Sequence, residues 1–233
     1  MHSTIIVALD TRDRLAAKSI VTELSPHNPW FKVGKALFVS RGTDIVEELM
    51  NNGANIFLDL KFHDIPNTVA EAVKAAADMG VRMVNVHCLG GRRMMEEAAN
   101  AVAHLSSPPL IIGVTVLTSM NQRDIEEVGI TEPIDQEVLK LSALAKDCGL
   151  DGVVCSPQEI ALIKQQLGAE FITVTPGIRP AWSATDDQTR ITTPAEAATL
   201  GTDYMVIGRP IIKHQRPLEA YESIQQEIQA ALS

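Results

Sequence analysis

The segment "DLKFHDIPNT", Asp59 to Thr68, sets two carboxylates and an ammonium, Asp59, Lys61 and Asp64, within a few residues of one another. To its left "ANIFL" is apolar and reads as a strand interior; to its right "TVAEAVKAAADMG" reads as a helix. Charges at such a junction can hold a substrate, deliver a proton or stabilise developing charge. Strand alternation puts Asp59 and Lys61 on the same side, and Lys32 on a neighbouring strand can reach the same spot. Opposite charges about 4–6 Å apart keep one another ionised. Asp64 lies past the strand, just before Pro66, which suits a helix start. Alone, D-x-K-x-x-D is most often a solvated turn with surface ion pairs. Charge arriving from other strand ends makes a site the better reading.

A second cluster is "IGRPI", where Gly208 and Arg209 follow the last apolar run and precede a short helix. A Gly-Arg pair there can receive an anion on backbone N–H groups and a guanidinium. Arg179, Gln188 and Arg190 belong to the long irregular stretch "TPGIRPAWSATDDQTRITT", Thr175 to Thr193, and could close over a phosphate. Loops of that length in compact domains are often functional. Other polar strand ends are Asp10, Lys35, and Thr118 with Ser119. "GGRR", Gly90 to Arg93, reads as a helix start with a solvated basic face. His63 reads as structural or surface, and His87 as a satisfied core histidine. No H-E-x-x-H, P-loop, Ser-His-Asp spacing or cofactor fingerprint is present.

The elements that must position these groups are legible in the apolar pattern. Strands are expected at Ile5–Leu9, Phe31–Val33, Ile56–Leu60, Met83–Val86, Leu110–Val116, Gly152–Val154, Phe171–Val174 and Tyr204–Ile207. Amphipathic helical stretches separate them. One sets Val138, Leu141, Ala145 and Cys148 on a stripe and stops at Gly149; the last aligns Leu218, Tyr221, Ile224, Ile228 and Leu232. Eight strand–helix units predict an α/β fold, a (β/α)₈ barrel, with residues 1–233 as a single domain. The alternative is an open doubly wound sheet, but G-x-G-x-x-G is missing after the first strand.

The chain has 233 residues, 45% of them apolar and only 4% aromatic, so Val, Ile, Leu and Ala must make the core. Its net charge of −9 argues against nucleic-acid or anionic-membrane partners, so an anionic ligand needs a local cluster of Lys or Arg. Cys88, Cys148 and Cys155 form no C-x-x-C pair, which favours reduced thiols over a disulfide framework or zinc site. With no signal peptide legible in "MHSTIIVALD" and no apolar run of about 20 residues, a cytoplasmic location is expected.

Six motifs in order, "VALD", "FKVG", "DLKFHDIPNT", "VTVLTSM", "TPGIRP" with "DDQTR", and "IGRPI", resemble those of the bacterial orotidine 5′-monophosphate decarboxylases over nearly the whole chain. The resemblance implies a cofactor-free, metal-free homodimeric barrel that converts orotidine 5′-monophosphate to uridine 5′-monophosphate and carbon dioxide, the last step of de novo UMP synthesis. It implies that Lys61 protonates C6 of the pyrimidine. Asp59 would face the departing carboxylate and orient Lys61, with Lys32 completing the array. Asp10 and Lys32 would hold ribose hydroxyls, and Thr118 would lie beside the pyrimidine. Gln188 would bridge base and phosphate, while Arg179, Gly208 and Arg209 would serve the closed loop and the phosphate. Asp64 would enter the neighbouring subunit's site, and Ile65, Pro66, Asn67 and Thr68 are further substrate-binding positions. Two alternatives stay open. One is a magnesium-dependent sister enzyme similar to 3-keto-L-gulonate 6-phosphate decarboxylase, whose second strand carries a metal-ligating glutamate where "FKVG" presents Lys32. The other is a non-catalytic phosphosugar- or nucleotide-binding barrel.

Overall fold

In the computed structural model, which describes residues 3–183 and 192–233, the apolar runs form eight parallel strands in chain order, the last hydrogen-bonded to the first. The strands are β1 (Thr4–Ala8), β2 (Trp30–Gly34), β3 (Asn55–Phe62), β4 (Met83–His87), β5 (Leu110–Val114), β6 (Gly152–Val154), β7 (Ile172–Pro176) and β8 (Tyr204–Ile207). Closure rules out the open doubly wound sheet. Several expected boundaries move by one or two residues: β3 runs on to Phe62 and β7 to Pro176, while β5 ends at Val114, leaving Thr115 and Val116 to the loop above it.

The helices of the first half are α1 (Arg14–Leu24), α2 (Lys35–Arg41), α3 (Asp44–Asn51), α4 (Pro66–Asp78) and α5 (Gly91–Asn100). Those of the second half are α6 (Gln122–Glu127), α7 (Ile134–Asp147), α8 (Ile160–Leu167), α9 (Pro194–Thr199), α10 (Arg209–Ile212) and α11 (Pro217–Leu232). Both helical stripes read from the sequence face inward. Val138, Leu141 and Ala145 of α7 are buried, and Gly149 beyond it takes φ +82°, a conformation open to glycine. Tyr221, Ile224 and Ile228 of α11 are buried as well.

Period-two alternation divides the core into two layers. Ile6, Ala8, Phe57, Met83, Ile112, Val174 and Val206 fill the barrel interior, while Ile5, Val7, Phe31, Val33, Ile56 and Leu58 face outward under the helices. Each of these side chains larger than Ala8 contributes about 1.5–3 kcal/mol on burial. The apolar interior stops below the C-terminal ends of the strands, where the polar residues begin.

The stretch Thr175–Thr193, expected to be irregular, starts inside β7, and Ala181–Ser183 form a 3₁₀ turn. Its base is clasped: Ile178 bridges Thr192, and the Arg179 N–H donates to the Thr192 carbonyl at 3.1 Å. Thr193 then caps α9 in a capping box with Glu196. Gln188 and Arg190 lie outside the described residues.

Candidate active site

A cavity of about 400 Å³ opens at the C-terminal ends of the strands. Its floor is apolar, built from Ala8, Phe57, Val114, Val154, Val174 and Val206. Above that floor lie, on the side of β1 to β3, the charged side chains of Asp10, Lys32, Asp59 and Lys61, and, past β7 and β8, those of Arg179 and Arg209.

The charged side is a continuous chain of ion pairs. Lys32 is buried and its Nζ lies 3.0 Å from Asp10 Oδ1 and 3.4 Å from Asp59 Oδ2. The Lys61 ammonium binds the other oxygen of Asp59, Oδ1. Burial pushes the Asp59 carboxyl up, but Lys32, Lys61 and hydrogen bonds from Lys61 and Asn85 outweigh it, so Asp59 stays below the usual aspartate range.

Local backbone explains how these groups meet. Lys32 lies in register with Ala8 and Phe57, and Asp59 one layer higher is opposite Gly34. A Cβ at Gly34 would lie 3.0 Å from Lys32 Nζ, so the glycine leaves the space that ammonium occupies. On β3, the simple alternation expected for Asp59 and Lys61 is interrupted. Lys61 has φ +54°, and the pairing of β3 with β4 shifts register between Leu58 and Phe62. A non-glycine residue in that region costs about 1–2 kcal/mol, and surrounding contacts must hold it there.

Asn85 of β4 supplies such contacts and was missed in the sequence. It is fully buried (0% exposed), its Oδ1 accepts the Lys61 N–H at 2.8 Å, and its Nδ2 donates to Asp59 Oδ1 at 2.8 Å. The available signal was a lone amide inside the apolar run "MVNVH", since a buried amide needs partners.

Of the remaining candidates, Thr118, Ser119, Gly208 and Arg209 line the cavity. Gly208 packs close to β1: a Cβ there would sit 3.3 Å from both Ala8 Cβ and Asp10 Oδ2. Asp64, Ile65, Pro66, Asn67 and Thr68 do not line this cavity. Asp64 is exposed and its Oδ1 accepts the Ile65 N–H at 2.7 Å; Pro66 opens α4. Lys35 is exposed at the start of α2. His63 stacks on His87 with ring centroids 5.1 Å apart, away from the cavity lining. "GGRR" does open a helix, with Arg92 paired to Glu96 and Asp147.

A profile of the orotidine 5′-phosphate decarboxylase / HUMPS family matches residues 3–224. The chain belongs to that family. An orotidine 5′-phosphate decarboxylase of Chromobacterium violaceum is 54% identical over 230 residues, spanning 99% of this chain and 93% of its own. One from Alcanivorax borkumensis is 52% identical over 224 residues, 96% of this chain and 97% of its own. Among solved structures, the orotidine 5′-phosphate decarboxylase of Lactobacillus acidophilus superposes with a TM-score of 0.87 at 38% identity, covering 98% of this chain and 99% of that one. The decarboxylase family thus shares both this closed barrel and nearly its whole length with the present chain.

Proposed function

We propose that Lys61 is the proton donor, and Asp59 and Lys32 its charge partners, in the reaction this chain catalyses, the decarboxylation of orotidine 5′-phosphate to uridine 5′-phosphate. The protein is a carboxy-lyase of pyrimidine biosynthesis. The observation that carries the residue roles is the Lys32–Asp59–Lys61 array in a cavity that Arg179 and Arg209, past β7 and β8, also line. A nucleotide laid across it has its phosphate at the arginines and its base over the valine floor.

In the chemical step the bond between C6 and the carboxylate carbon breaks, carbon dioxide leaves, and the electron pair stays on C6. That pair lies in an sp² orbital in the ring plane, outside the π-system. An ammonium held at C6 stabilises it and then transfers its proton, leaving Lys61 neutral until solvent reprotonates it. Asp59 holds that ammonium by a direct ion pair and presents negative charge toward the leaving carboxylate. Asp10 with Lys32 suits the ribose hydroxyls, and Thr118 the pyrimidine edge. Gly208, Arg209 and Arg179 suit the phosphate. Reactions of this difficulty need accelerations near 10¹⁷-fold, about 23 kcal/mol, so phosphate binding must contribute to ordering the site.

The working enzyme is read as a homodimer with composite sites. Asp64, Asn67 and Thr68 are exposed and do not line their own cavity, and Ile65 beside them is 67% exposed. In a two-fold pair these residues reach the neighbour's Lys61. The magnesium-dependent sister reaction is disfavoured by Lys32, whose ammonium lies 3.4 Å from Asp59 where a metal ion would have to bind. Among the described residues no helix is long and apolar enough to cross a membrane; the three free, buried cysteines support a cytoplasmic location. The test is to follow the loss of ultraviolet absorbance of orotidine 5′-phosphate in the presence of excess chelator. Full activity in the parent and none in Lys61→Ala is expected. Activity retained by Lys61→Ala would overturn the assignment of the proton donor, and loss on chelation restored by magnesium would favour the metal-dependent chemistry.

A further inference from the structure

We infer that Asn85 is a positioning residue for this reaction, setting both the place of the Lys61 ammonium and the charge of Asp59 through one buried amide. The inference rests on the proton-donor role read for Lys61.

Two independent hydrogen bonds converge on that amide. Its carbonyl oxygen accepts the Lys61 N–H at 2.8 Å, at the one residue of β3 with a left-handed backbone. Its NH₂ group donates at 2.8 Å to Oδ1 of Asp59, the oxygen that also receives the Lys61 ammonium. In a regular parallel ladder the Lys61 N–H would go to a backbone carbonyl of a neighbouring strand. The shift in register between Leu58 and Phe62 leaves it without that partner, and the side chain of β4 substitutes for the strand. The amide therefore acts on both ends of the catalytic pair: it holds the backbone turn that swings Lys61 into the cavity, and it favours the ionised form of the carboxylate that orients Lys61.

Asn85 does not line the cavity, so its contribution runs through the other two residues. The charged groups that reach this cluster are Asp59 and Lys61 from β3 and Lys32 from β2; on the β5 side its register partner is the apolar Ile112. Any polar atom left unpaired here has no water to replace its partner, because the residue is completely buried. Only a side chain with a donor and an acceptor in amide geometry satisfies both neighbours, which excludes an apolar replacement and makes aspartate a conditional one. A carboxylic acid could donate to Asp59 and accept from Lys61 while protonated. Once ionised it would lose the donor and set a second negative charge against Asp59.

The test uses the full-length enzyme and two variants. Asn85→Leu removes both bonds at similar volume; kcat should fall on the order of 10- to 100-fold, as for loss of a hydrogen bond to a charged group, with KM within about threefold because no substrate contact is removed. Asn85→Asp should be partly active at acid pH, and its rate relative to the parent at the same pH should fall as pH rises and the introduced carboxyl ionises. A residue that merely packs would give a ratio independent of pH. Parent-like kcat in Asn85→Leu, a loss confined to KM, or a flat Asn85→Asp ratio between pH 5 and 9 would each overturn the assignment. If Asn85→Leu does not fold, the pH dependence of Asn85→Asp decides alone.

Discussion

Replacing Asp59 with asparagine tests whether the charge array works as a unit. In the parent, Asp10, Lys32, Asp59 and Lys61 are electrically balanced, two carboxylates against two ammoniums. Asp59→Asn keeps shape but leaves the array one positive charge in excess. Removing one partner of a buried pair costs about 3–5 kcal/mol. Here the loss should be smaller, because Lys32 keeps Asp10 at 3.0 Å and the Lys61 side chain, 27% exposed, faces the open cavity. We expect about 2 kcal/mol, a fall of roughly 4–8 °C in melting temperature for a chain of this size. Activity should respond much more: losing one preorganised electrostatic group costs about 10²–10³ in kcat. KM should stay level or drop, because the substrate carboxylate no longer meets a negative charge. The assay pairs thermal melts with initial rates from the ultraviolet absorbance of orotidine 5′-phosphate. Since the Asp59 carboxyl lies below its ordinary range, its contribution to stability is complete above the unfolded pKa near 3.9 and is lost only as pH falls through the lower folded value. The stability gap between parent and variant should therefore be constant from pH 5 to 8. A kcat within tenfold of the parent with KM raised a hundredfold would reduce Asp59 to a binding group, and a gap that changes across that pH window would refute its ionised state.

Three further outcomes follow from the same geometry. Mixing the inactive variants Lys61→Ala and Asp64→Asn under subunit exchange should restore about one intact site per heterodimer; a mixture that stays inactive while exchange is demonstrated would place Asp64 in its own subunit. Arg209→Ala should weaken substrate binding and lower kcat together, a loss of about 1.5–3 kcal/mol in kcat/KM, and phosphite dianion should partly restore the rate on a substrate lacking the phosphate; no phosphite effect would make the phosphate a handle only. His87, pushed down to about 4 by burial, with His63, Lys61 and Lys35 adding to it, stays neutral in the fold while the unfolded chain takes up a proton below about 6.5. The parent should thus lose stability as pH falls from 6.5 toward 4, by about 1–2 kcal/mol once solvent screening is allowed for; chemical denaturation at pH 7 and pH 5 should find a smaller loss in His87→Gln, and an equal loss would exclude His87 as the source.

The residues proposed to do the chemistry were legible before the fold because charge is rare at the end of a buried strand. Asp59, Lys61, Lys32 and Asp10 stand out against runs of Val, Ile and Leu, in or just past three successive strands, β1, β2 and β3. The eight strands and the stripes of α7 and α11 were legible for the same reason: burial of one face leaves a periodic trace. The tertiary structure alone decided matters that depend on neighbours distant in sequence. Closure of β8 on β1 was expected from the count of eight strand–helix units, but the register that joins them, Thr4 opposite Tyr204, is set only by the folded sheet. Alternation placed Lys61 beside Asp59 for an incomplete reason, because the left-handed turn at Lys61 appears only once β3 slips against β4. Asn85, 24 residues from Lys61, carries no motif; its meaning is its position across that slip. The space at Gly34 filled by Lys32 and the exposure of Ile65 beside Asp64 likewise arise from packing between elements, where a residue's role is set by what lies opposite it in space.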